Sequence, residues 1–225
     1  MKPFELMVRS AKWDRETKAA FHAHLKKNLR DDSRLDACRR KADFMNREQS
    51  RRTKRAALAL VSWALETFRK AGKQVRSLAL STRAELLEAL GEDAASASAQ
   101  REAGETDEAT AASTALEARS LLRASGLVAT PEVLRLERAV LRDPTARSLA
   151  AYALWRHAIA AFCAVSRGES RRARLNARKA LEIASAGELS FDRWIKAHRR
   201  ASVPGVDLRP RELAALLRLA QLRAP

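Results

Sequence analysis

The chain has 225 residues, with 44 Lys and Arg against 27 Asp and Glu, giving a formal net charge of +17. Apolar residues make up 46% and charged residues 32%, a balance that excludes both a disordered chain and a membrane-embedded one. Gly and Pro are scarce (7 and 6), there is a single Tyr, and Ala, Leu, Arg and Glu dominate, so little material remains for a sheet and an all-α protein is expected. Two cysteines, Cys38 and Cys163, cannot form a disulfide framework; they suggest a reducing, cytoplasmic setting. The start, Met1-Lys2-Pro3-Phe4-Glu5, carries no apolar signal core.

In chain order, the first helix is expected over 14–29 with Asp14 as N-cap, and a second over 33–48 after the turn Asp31-Asp32. The third, 51–71, is the clearest: Ala57, Leu60, Val61, Ala64, Leu65 and Phe68 form one stripe at the 3.6-residue period, with Gly72 as its C-cap. Helices over 74–90, 93–103 and 107–125 stop at Gly91, Gly104 and Gly126. Thr130-Pro131 opens a helix that runs to Arg142 before Asp143-Pro144. The apolar segment 146–166 ends at Gly168, and 169–185 is its partner. Ser190 caps a short helix carrying Trp194, and Pro210 opens a last helix to Arg223.

Between Leu149 and Val165 the chain is apolar apart from Arg156 and His157, which lie at its centre. A span needs about 20 apolar residues and a central Arg is costly, so this reads as a buried helix and no membrane span is expected. Short loops make sequential helices antiparallel neighbours, a series of helical hairpins.

The segment AIAAFCAVSRGESRRARLNARKALEIA places Ala161, Gly168, Ala173, Ala177, Ala180, Leu181 and Ile183 in a pattern: a small residue, a Gly seven later, then Ala five and twelve beyond it. Weaker copies surround Gly91 (Ala84, Leu87, Leu90, Ser96, Ala103) and Leu127 (Ala139, Val140, then Asp143-Pro144), and Ala57, Ala64 and Leu65 follow Arg52. Small side chains let two helices approach closely, and Gly permits the turn between them. This pattern resembles the tetratricopeptide repeat, in the degenerate form of bacterial tetratricopeptide-like proteins, with Arg52, Gly91, Leu127 and Gly168 as turn points. The resemblance implies a right-handed α-α superhelix of hairpins over 35–185, an N-terminal helical segment over 1–34 and capping helices over 186–225. An irregular helical bundle is the alternative.

Catalytic patterns are lacking: the sequence has no His-Glu-x-x-His, no Cys-x-x-Cys and no phosphate-cradling Gly loop. His22 and His24 are spaced to face different sides of a helix. No enzyme activity, cofactor or metal is therefore expected. His157 reads as a core histidine bonded to a backbone carbonyl, Cys163 as a small hydrophobe, and Trp63, Trp155 and Trp194 as core fillers.

Charge is uneven: residues 1–80 carry +12, residues 81–130 carry −5 and residues 131–225 carry +10. The basic clusters are Arg39-Arg40-Lys41 with Arg47, Arg51, Arg52, Lys54 and Arg55; Arg167, Arg171, Arg172, Arg174, Arg178 and Lys179; and Lys196, Arg199 and Arg200. Within the second, Arg171, Arg174 and Arg178 share a helix face. The first expectation is a non-enzymatic adaptor that binds a partner protein or peptide, acidic in part. By the resemblance, Arg39, Asn46, Glu85, Glu88, Glu117, Trp155 and Phe162 would line its groove. The alternative is a basic nucleic-acid-associated protein, part of a nucleoprotein complex. In that reading Arg51, Arg52, Lys54, Arg55, Arg171, Arg174 and Arg178 would contact phosphates.

Overall fold

A computed structural model describes residues 3–28, 30–106, 111–142, 150–186, 188, 190–199 and 207–221. Every regular element among them is a helix, and the chain divides into two compact units, Met1–Ser113 and Thr114–Pro225. The division falls inside the 35–185 span of the repeat-like pattern.

The first unit contains α1 (Pro3–Val8), α2 (Arg15–Asn28), α3 (Asp31–Asn46), α4 (Arg51–Thr67), α5 (Lys73–Leu90) and α6 (Asp93–Thr106). Helices α3, α4 and α5 pack against one another, α6 lies on α5, and α1 touches both α2 and α3. The stripe read from α4 is buried in full, meeting Phe21, Leu25, Leu35, Cys38, Met45 and Leu80 in one core. Asp14 caps α2 as expected: its Oδ1 accepts from the Thr17 amide at 2.8 Å, and this bond is the main reason its carboxyl is held down to about 2.

Four local expectations change here. Helix α3 starts at Asp31, so the Asp31-Asp32 pair forms its first turn, where acidic side chains favour the positive end of the helix dipole. Helix α4 stops at Thr67, with Phe68 as its C-cap, and Gly72 instead opens α5. The Gly72 amide donates to Asp32 Oδ1 at 2.6 Å, a bond to a residue 40 positions away that no local pattern announces. Gly104 lies inside α6 rather than at its end. Arg52 is likewise within the first turn of α4, not between helices.

The second unit contains nearly all of α7 (Ala111–Ala124), with α8 (Pro131–Arg142), α9 (Ala150–Ser166), α10 (Ser170–Ala184), α11 (Phe191–His198) and α12 (Pro210–Leu219). Helix α9 pairs with α10, α8 lies on α9, and α12 packs on both α9 and α10. The seam of the α9–α10 hairpin is made of Ala158, Ala161, Ala173, Ala177 and Ala180, all buried, as the small-residue pattern required. Around it stand Leu122, Val133, Val140, Ile159, Phe162, Leu181 and Trp194. The helix ends expected at Asp143-Pro144 and Arg223, and the start expected at 107, lie outside the described residues.

Gly91, Gly126 and Gly168 all have positive φ (84°, 72° and 73°). At Gly91 the next amide reaches back to Leu87 O (2.8 Å), and at Gly168 to Ala164 O (2.9 Å), so the last carbonyls of the preceding helix are satisfied. A Cβ at Gly168 would meet nothing within 4 Å, which leaves backbone strain as the whole cost of a side chain. Gly168→Ala is expected to destabilise the chain by about 1–2 kcal/mol in denaturant unfolding. An unchanged midpoint would show that this turn relaxes freely.

Trp155 and Trp194 fill the core as expected, but Trp63 is 37% exposed. It sits between stripe positions on α4 and lies edge-on to His22 (4.7 Å between centroids) and Phe68 (5.5 Å). His157 is half-buried and its Nδ1 lies 3.0 Å from the Asn176 amide oxygen on α10, not against a backbone carbonyl. Among the described residues no helix is long and apolar enough to cross a membrane.

Candidate functional site

Helix α8 sets up a strongly charged concavity in the second unit. Thr130 caps it, its hydroxyl accepting from the Val133 amide at 3.4 Å, with Pro131 at the first helical position. Val133, Glu137 and Val140 face the core, and this register turns Arg135, Arg138 and Arg142 outward at i, i+3 and i+7. The turn between α9 and α10 brings Arg167, Glu169 and Arg172 opposite them. With Leu134 and Leu141 these residues enclose a cleft of about 770 Å³.

Glu137 organises the far wall. It is only 4% exposed, and a carboxylate buried in an apolar helix seam must be paired. Its Oε2 takes the Arg167 guanidinium and its Oε1 lies 3.4 Å from Arg172 Nη2. Arg172 Nη1 also donates to Glu169 Oε2 at 3.0 Å. The hydrogen bond that Arg167 donates to Glu137 is the main cause of its raised pKa. Five arginines thus share the cleft with two glutamates. The two acids engage Arg167 and Arg172, and the row Arg135, Arg138, Arg142 has no carboxylate partner among the described residues.

The residues expected to line a groove are distributed differently. Arg39 is half-buried and already bonded, donating to Asp36 (2.8 Å) and Asp43 (2.9 Å). Asp43 in turn accepts from the Thr82 hydroxyl on α5 at 2.9 Å, so this is a polar seam between α3 and α5. Burial is the main influence on Asp43 and raises its pKa. Asn46 is half-buried and Glu85 exposed, while Glu88 is buried. In the other unit Glu117, Trp155 and Phe162 are all buried, Trp155 to 1% exposure. Glu88, Glu117, Trp155 and Phe162 are therefore enclosed by their own units, because the apolar helix faces that carry them are spent on the cores.

Of the residues expected to contact phosphate, Arg51, Arg52 and Arg55 are exposed and Lys54 is half-buried, all in the first turns of α4. Arg51 reaches the Leu90 carbonyl at 3.4 Å. Arg171 and Arg178 are exposed and Arg174 half-buried, with Arg178 donating to the Ala220 carbonyl at 3.4 Å. None of these seven lines the cleft. The arginines on α8 were passed over in the sequence, although their own i, i+3, i+7 spacing was the signal that could have found them.

Both cysteines are buried, and burial pushes their thiols up to about 12, so neither is a ready nucleophile. Among the described residues no group of three or more His, Cys, Asp or Glu is placed to hold a metal ion. No protein-family model, no curated protein and no solved structure matches this chain.

Proposed function

We propose that this chain is a non-enzymatic adaptor, built of tetratricopeptide-like helical hairpins, that holds an acidic segment of a partner protein. The observation that carries the reading is the row of outward arginines on α8, set in a concave wall and without a carboxylate partner among the described residues. Guanidinium groups form strong, directional bonds to carboxylates, and an uncompensated row of them favours an anionic partner. The hairpins supply a rigid platform for that row, and the helix pairs α3–α4, α5–α6 and α9–α10 are the units from which a repeat would be built.

The test is affinity capture of the tagged full chain from nuclease-treated extract of its own cells, washed at low and at high salt. A protein partner that survives nuclease and leaves with salt is the expected result, since exposed ion pairs are screened within about 8 Å at physiological ionic strength. Copurification of nucleic acid alone, lost on nuclease treatment, would overturn the adaptor reading in favour of the nucleoprotein alternative.

A further inference from the structure

We infer that the cleft between α8 and the α9–α10 turn is the docking place of an acidic, leucine-bearing helix of the partner; this rests on the adaptor reading and names its site and ligand chemistry. Charge gives the sign of the occupant. Arg135, Arg138, Arg142, Arg167 and Arg172 face Glu137 and Glu169, a local excess of three positive charges. The acids of the cleft are committed to Arg167 and Arg172, and among the described residues no other carboxylate meets the α8 row, which is thus available to an outside anion.

Spacing selects a helix as the occupant. Arginines at i, i+3 and i+7 stand about 5 Å apart along α8, the same interval at which a second helix presents carboxylates at i, i+3 or i+4, and i+7. Three ion pairs can then form in register along two helices laid side by side. Leu134 and Leu141, also seven residues apart, line the same cleft and call for apolar side chains between the carboxylates. A phosphodiester backbone would leave those leucines facing charge. The lining also contains no aromatic ring on which an unpaired base could stack. Glu137 is a positioning residue in this arrangement, since its buried carboxylate on α8 holds the Arg167 and Arg172 side chains that reach across from the α9–α10 turn.

The experiment uses the full chain and a fluorescein-labelled synthetic helix of about 15 residues with Glu and Leu on one face, long enough to form a marginal helix. Its companions are the same peptide with Gln for Glu, and a DNA duplex. Anisotropy titration is expected to show binding of the Glu peptide only. The double variant Arg135→Glu/Arg138→Glu should weaken it by roughly a hundredfold, because attraction is replaced by repulsion at two contacts. Both positions are exposed, so helical content by circular dichroism should not change. Arg193→Glu, an exposed arginine on α11, should alter the affinity by no more than about twofold.

Equal affinity in parent and double variant would overturn the inference. So would binding of the duplex in place of the peptide, which would assign the cleft to phosphodiesters. Dimerisation of the free protein that the double variant abolishes would assign it to a second copy of the chain. If the capture experiment recovers a partner equally with parent and double variant, the cleft falls and the adaptor stands. If the parent captures no protein at all, the adaptor reading falls whatever the peptide does.

Discussion

Replacing Glu212 with alanine is expected to destabilise the unit Thr114–Pro225 by about 3–5 kcal/mol, because it removes the buried carboxylate that takes two nitrogens of the buried Arg123 guanidinium. Glu212 opens α12 and is 2% exposed. Its two oxygens take the Nε and Nη2 of Arg123 on α7, and Oε2 also accepts the Arg209 amide at 2.7 Å, so one carboxylate caps α12 and binds α7. Arg123 also reaches the Asp207 carboxylate at 3.1 Å and lies 5.0 Å from the Trp155 ring centroid, with Arg119 at 5.5 Å from the same ring. Arg123, Glu212 and Trp155 are buried while Asp207 is exposed, so the lost carboxylate is the one on the inner side, where water has little access. Thermal unfolding should show a fall of roughly 10 °C or more in the transition of this unit. The double variant Arg123→Met/Glu212→Leu should recover much of the loss, since a buried ion pair exchanged as a whole for apolar side chains costs little. A Glu212→Ala variant within about 1 kcal/mol of the parent would show that the pair is solvated and does not tie α7 to α12.

Lys41→Met is expected to cost the unit Met1–Ser113 about 2–4 kcal/mol by leaving three partly buried carbonyls without their donor. Lys41 stands on α3 with no exposed surface. All three of its ammonium hydrogens are used, by the carbonyls of Met7 (2.9 Å), Ser10 and Lys12 (2.8 Å), and the Trp13 ring centroid lies 5.4 Å away. The side chain therefore holds the stretch between α1 and α2 against α3. Burial pushes its pKa down to about 8, from an ordinary 10.5, against the pull of Asp14.

The lowered value sets the sign of a pH effect. Between about pH 8 and about pH 10.5 the unfolded chain still binds the proton that the folded chain has released. Stability from this residue therefore rises with pH across that window and is smallest below it. The increment is bounded at about 3 kcal/mol by the shift itself. The gap in unfolding free energy between parent and Lys41→Met should widen over that range in denaturant titrations. A gap independent of pH would mean that the three carbonyls hold the proton in the folded state as firmly as water does in the unfolded one.

Neither of these ties could be read along the chain. Helix class, most helix limits, the Asp14, Thr130 and Ser190 caps and the buried face of α4 were all legible, because each depends on residues within about four positions of one another. The alanine seam of α9–α10 and the left-handed turns at Gly91, Gly126 and Gly168 were legible for the same reason. Gly72 was misread because its partner, Asp32, lies 40 residues earlier. Lys41 looked like one member of a solvated basic cluster, and only the chain folding back over 29 to 34 residues made it a buried donor.

The candidate site divides along the same line. Abundant surface arginine was evident from composition, and Arg167 and Arg172 stood within a recognised cluster. That Glu137 would be buried, would claim those two and would leave Arg135, Arg138 and Arg142 facing them depended on α8 lying against α9, with Arg172 set 35 residues from its acid. By itself the sequence determined the helices, their caps and their apolar faces, since backbone hydrogen bonds and side-chain periodicity act over a turn or two. Tertiary structure alone decided which charges are buried, which are paired and which are left over, since a charge is stabilised by whatever packing brings to within a few ångströms, however far away along the chain.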